Sequence, residues 1–136
     1  MRGSLQSYRT VSLESQLSEA SPHKITQMMF SGALERIAQA KAAMEQNNVA
    51  QKGVLLGKAI GIIQGLRGSL VMEAGGEIAT NLNNLYDFML RRITEANLNN
   101  DVQALDDVAA VLRDIKEAWD AIPADKHHLT AHEENR

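Results

Sequence analysis

Apolar residues in this chain recur at steps of three and four, and they do so in four separate runs. The most sustained run follows a double glycine, Gly75-Gly76, and an acidic residue, Glu77. Ile78, Leu82, Leu85, Met89, Ile93 and Ala96 then fall on one side of a helix, at about 100° per residue. Tyr86 and Leu90 widen that side by roughly a quarter turn, and Phe88 lies off it altogether. Such an apolar surface is broader than one core contact requires. This helix is either wholly buried or keeps part of its surface for a partner.

The other runs predict three more helices. Ser21-Pro22 opens the first, with serine as N-cap and proline at a position where its missing N–H costs nothing. Ile25, Met29, Ala33, Ile37, Ala40 and Met44 form its stripe, widened by Phe30 and Leu34 and ended by Asn47-Asn48. The second run extends from Val49 to about Met72, with Leu55, Leu56, Ala59, Ile62, Ile63, Leu66 and Leu70 inward. Opposite that side fall Gly53, Gly57, Gly61, Gly65 and Gly68, each costing about 0.5–1 kcal/mol relative to alanine in a helix. They form either a shallow backbone groove for a client helix or a set of tolerated surface glycines. The residues alone favour the second, because such spacing lacks in soluble proteins the meaning it has in membranes.

Met72 to Gly76 reads as a loop, and the last helix is capped by Asn100 or Asp101. Leu105, Val108, Leu112, Ile115, Trp119 and Ile122 keep heptad spacing along it until Pro123 stops it. Short turns between long helices favour antiparallel returns. The expected fold is therefore all-α: an antiparallel four-helix bundle over residues 21–122, with a flexible N-terminal strap (1–20) and a disordered C-terminal tail (123–136). The strap region carries isolated apolar points at Leu5, Tyr8, Val11, Leu13 and Leu17.

Composition narrows the chemistry. A chain of 136 residues is one domain's worth, and it can bury about two-thirds of its unfolded surface. A net charge of −3 gives no case for nucleic acid, which asks for a clustered basic face. There is no cysteine, which excludes disulfides and thiolate metal sites, and no apolar run approaches the roughly 20 residues a membrane span needs. A di-metal bundle site uses Glu-x-x-His pairs, and none occurs. His23 sits in the first turn and reads as a surface or capping residue, while His127, His128 and His132 lie in the tail. Gly65-Leu66-Arg67-Gly68 spells a nucleic-acid GXXG without the strands or basic surface that motif works with. No nucleophile–base pair or phosphate loop is present, so neither catalysis nor a cofactor is expected. Arg91 and Arg92 are candidates to pair with Glu95 or with a partner's carboxylate. Trp119 belongs to the core, and Tyr86, at the edge of its stripe, is the better contact candidate.

The stretch GGEIA-x-NL-x-x-LYDFMLRRITEANLNND, together with Ser21-Pro22-His23-Lys24-Ile25 and the Trp119 region, resembles the FliS family of flagellin-specific export chaperones over roughly residues 5 to 122. The resemblance implies a cytosolic helix bundle that holds flagellin's C-terminal segment, prevents its premature polymerisation and releases it at the type III export gate. An export-gate component would meet the loaded complex, and a regulatory protein is a further partner. The resemblance also implies that Leu5 and Tyr8 belong to a strap docking near the client site. Joined to the surplus apolar surface, it makes Leu5, Tyr8, Val11, Gly57, Ile60, Gly61, Ile78, Leu82, Tyr86 and Met89 the candidate partner-binding residues. The alternative from the residues alone is a generic helical adaptor or homodimer whose spare face pairs with a copy of itself.

Overall fold

A computed structural model describes residues 21–70, 72–123 and 125. Four helices occupy them: α1 (Pro22–Glu45), α2 (Val49–Gly68), α3 (Met72–Asn99) and α4 (Val102–Asp120). Three of the four start on a side-chain cap. Ser21 Oγ accepts from the Lys24 N–H at 3.2 Å, Asn48 Oδ1 from that of Gln51 at 3.2 Å, and Asp101 Oδ1 from that of Ala104 at 3.3 Å. Each oxygen satisfies one of the amides a helix start leaves without a partner.

Asparagine also ends two of them. Asn47 (φ 58°) and Asn100 (φ 55°) take the left-handed conformation, which asparagine tolerates better than most residues. The next N–H then reaches back into the last turn, Asn48 to the Ala43 carbonyl at 2.8 Å and Asp101 to that of Ala96 at 3.1 Å. Both are Schellman closures, and each reverses the chain within a few residues.

Two boundaries differ from the sequence reading. Helix α2 ends at Gly68, not near Met72. Ser69 Oγ donates to the Leu66 carbonyl at 2.8 Å, and the Leu70 N–H turns to the Arg67 carbonyl, so the last turn tightens and stops. The expected loop at 72–76 is instead helical, and the break is concentrated at Gly76, whose φ of 57° and ψ of −134° lie outside any helix. A side chain there would be strained, which is why this bend falls on a glycine.

Interhelical contacts fix the topology. Helix α1 packs on α2 and α4, and α3 packs on the same two, so the four form a closed ring. Lys41 near the end of α1 meets Asp106 near the start of α4 at 2.9 Å, whereas Trp119 near the end of α4 meets His23 at the start of α1. Arg67, late in α2, reaches Asn83 and Asp87, while Lys52, early in α2, reaches Asn97 and Asn100. Each pairing runs antiparallel, as short turns require.

The core is one cluster running the length of the bundle, from Phe30, Leu66 and Trp119 at one end to Met44, Leu55 and Ala104 at the other. His23 is inside it, contrary to expectation. Its ring stacks on Trp119 with centroids 5.0 Å apart and planes within 10°, and the indole N–H donates to the His23 carbonyl at 3.0 Å. The stripe of α1 was read from apolar residues, and a histidine lying flat on an indole is invisible to that pattern. Gly65 also departs from its predicted outward position. A Cβ there would lie 2.9 Å from Met29 Cε, so this glycine faces α1, where Ile62 also approaches Gly32.

Candidate functional site

The place to look for a partner surface is where apolar residues stay half-exposed after the core has closed. On α3, Ile78 remains 51% exposed and Leu85 37%, with Leu82 and Phe88 only partly buried. Ile78, Leu85 and Phe88 share a sector of about 80° with Arg92. Arg92 binds Asp107 of α4 at 2.7 Å, so that sector is the one turned toward α4. On α4, Val111 and Ile115 fall with Asp107 in a similar sector of about 80°, and both are partly buried. The register set by the Arg92–Asp107 pair places Phe88 level with Val111, Leu85 near Ile115, and Ile78 near Ile122, just past the helix end. The α3–α4 seam is therefore closed by charge at one end and lined by incompletely covered apolar side chains toward the other.

The charged end is well knit. Arg92 also binds Glu95 at 2.7 Å and lies 3.8 Å from Asp101, while Gln103 donates to the second oxygen of Asp107 at 2.9 Å. The Arg92 hydrogen bond, reinforced by that of Gln103, holds the Asp107 carboxyl below its ordinary pKa. The Asp107 and Glu95 hydrogen bonds raise Arg92 in turn. Arg92 is thus spent on the fold. Arg91, its side chain 70% exposed, has one longer contact at 3.6 Å with Asp87.

The predicted contact residues do not form one site. Leu5, Tyr8 and Val11 lie outside the described residues. Gly57 and Gly61 stand on the outward face of α2 with nothing within 4 Å of a Cβ, and Ile60 is partly buried at the edge of that face, on the α3 side. Ile78 belongs to the seam, and Leu82, partly buried, lies beside it toward the core. A ligand touching both sets has to cross the outward face of α3. Tyr86 and Met89 point inward instead, 3% and 0% exposed, because they sit at the middle of the α3 stripe where the other helices converge. The sequence reading placed Tyr86 at the stripe's edge; the packing centres the stripe nearer Tyr86. It also gave Leu85 and Ile115 no role beyond the stripe and the heptad, and Val111 none at all. The usable signal is the surplus apolar surface of that helix, Leu85 within the stripe and Phe88 off it.

Burial pushes the Tyr86 phenol from 10.0 up to about 12. The native state therefore favours the neutral ring. Stability from this group is intact below pH 10 and is lost as pH rises toward 12. Between pH 9 and 11.5 the wild type is expected to lose about 2 kcal/mol more than Tyr86→Phe. Urea unfolding at the two pH values measures it, and equal losses would show that the phenol is not buried.

Among the described residues no group of three or more His, Cys, Asp or Glu is placed to hold a metal ion, and no helix is long and apolar enough to cross a membrane. The chain matches the family described as flagellar protein FliS over residues 4–126. It is 60% identical over 133 residues, 98% of each chain, to the flagellar secretion chaperone FliS of Vibrio cholerae. It is 50% identical over 118 residues to the flagellar secretion chaperone FliSB of Pseudomonas aeruginosa, covering 87% of this chain and 94% of that one. The FliS of Salmonella typhimurium is 48% identical over 119 residues, 87% of this chain and 88% of its own. With nearly the whole chain matched, and the helical pattern found in the fold, the chain belongs to the FliS family of flagellar proteins.

Proposed function

We propose that this protein is a cytosolic flagellar secretion chaperone that holds the C-terminal segment of flagellin, keeps it from polymerising, and delivers it to the type III export gate. Its relatives carry the name of chaperones, not of enzymes. The observation that carries the reading is the α3–α4 seam, where Ile78, Leu85 and Phe88 lie on the same side as Val111 and Ile115 without full cover. Burial of apolar side chains there supplies affinity for an amphipathic segment that is disordered until it binds, and part of that energy is spent on ordering the client. The open glycine face of α2 offers a second, shallower contact at Gly57, Ile60 and Gly61 for a client that wraps across α3. The N-terminal strap, through Leu5, Tyr8 and Val11, competes for the same apolar surface. An export-gate component then meets the loaded complex, and a regulatory protein is a further partner.

Amide chemical-shift mapping with a flagellin C-terminal peptide tests this. Shifts concentrated at Ile78, Leu85, Val111 and Ile115, with a one-to-one end point, are the expected result. A constant dimer that ignores the peptide, or shifts confined to the α1–α4 face, would overturn it.

A further inference from the structure

At the end of the bundle away from Ser21, the two asparagine-closed turns frame a cleft of about 220 Å³. That is room for roughly seven waters at about 30 Å³ each, or one residue with its side chain. Ala43 and Met44 give it an apolar floor, and Asn47, Lys52 and Asn100 give it polar walls. Lys52 is the unusual member. It is only 7% exposed, and its ammonium donates to the Asn97 carbonyl at 3.1 Å and to Asn100 Oδ1 at 3.2 Å. Both acceptors are neutral, and no carboxylate among the described residues pairs with it. An ammonium has three donors, so one is left on a side chain that lines the cleft. A buried cation without a countercharge favours an anion there.

We propose that this cleft binds the free C-terminal carboxylate of a bound polypeptide, with the terminal side chain resting on Ala43 and Met44. A chain end presents a carboxylate and a side chain from one Cα, which matches an ammonium beside an apolar floor in a space of this size. An internal Asp or Glu carries its carboxylate at the side-chain tip and leaves the floor uncovered. The surroundings also suit an arriving chain. Val49, which lines the cleft, is 70% exposed, and Leu98, next to Asn97, is 82% exposed, two large apolar side chains at the same end of the bundle. The inference rests on the chaperone reading in one respect: a client held by its C-terminal segment brings a free carboxylate with it.

The test compares a flagellin C-terminal peptide as free acid with the same peptide as C-terminal amide, titrated calorimetrically against the wild-type protein. The acid is expected to bind about tenfold tighter, the scale of one charge-assisted hydrogen bond. In Lys52→Met the two peptides are expected to bind equally. Equal affinities in the wild type would overturn the proposal without any variant, and so would a preference that survives Lys52→Met. A second copy of the chain occluding the cleft, seen as a concentration-dependent doubling of mass, would overturn it too. If neither peptide binds, the chaperone reading itself fails and this inference falls with it.

Discussion

Replacing Trp119 by alanine is expected to destabilise the bundle by about 3–5 kcal/mol. The indole is 9% exposed and closes the end of the bundle where the chain enters α1 and leaves α4. It stacks on His23, meets Phe30 edge-on at 6.3 Å, and donates to the His23 carbonyl. Alanine removes all three contacts and leaves a cavity between helices far apart in sequence, which cannot collapse without moving one of them. Trp119→Phe keeps most of the apolar volume but loses the indole donor, and is expected to cost about 1–2 kcal/mol. Urea unfolding followed by far-ultraviolet circular dichroism measures both, since the substitution removes the only tryptophan fluorophore. A cost below about 1 kcal/mol for the alanine variant would mean that α1 and α4 are not pinned there.

That contact also marks the limit of what the sequence discloses. Ser21, Asn48 and Asp101 are legible as caps because N-capping is a local event, settled by a side chain and an amide three residues on. The heptad of α4 is legible for the same reason: Leu105, Val108, Leu112 and Trp119 all reach the core at their predicted spacing. His23 was not, because its burial depends on a partner 96 residues away. Gly76 is a comparable case. The double glycine announces a break, but a loop and a single left-handed hinge between two helical turns have the same local sequence. Which side of a helix faces which neighbour is settled only by assembly. The centre of the α3 stripe lies nearer Tyr86 than the spacing predicts, turning Tyr86 inward and leaving Ile78 and Leu85 partly in solvent. Half of the candidate site was thus visible as excess hydrophobicity, and its location came from the ion pair that docks α3 on α4.

The seam predicts the largest functional effect. Ile78→Asp combined with Leu85→Asp is expected to weaken binding of a flagellin C-terminal peptide by at least about 100-fold. Fully burying such a side chain contributes about 1.5–3 kcal/mol, so covering the exposed halves of these two supplies up to about 2.6 kcal/mol, close to the roughly 2.7 kcal/mol of a factor of 100. Each new carboxylate must in addition lose its water when the client covers it. The free protein is expected to tolerate the change with a melting temperature within a few degrees, because at 51% and 37% exposure both carboxylates keep contact with solvent. Ala38→Asp, on the exposed side of α1, adds the same charge away from the seam and is expected to leave affinity unchanged. Calorimetric titration and thermal melts on the three proteins decide the matter. Undiminished binding by the double variant at intact helicity would move the client to another face. A parallel loss of affinity and stability would instead make these residues part of the core, and the seam would be a helix contact and nothing more.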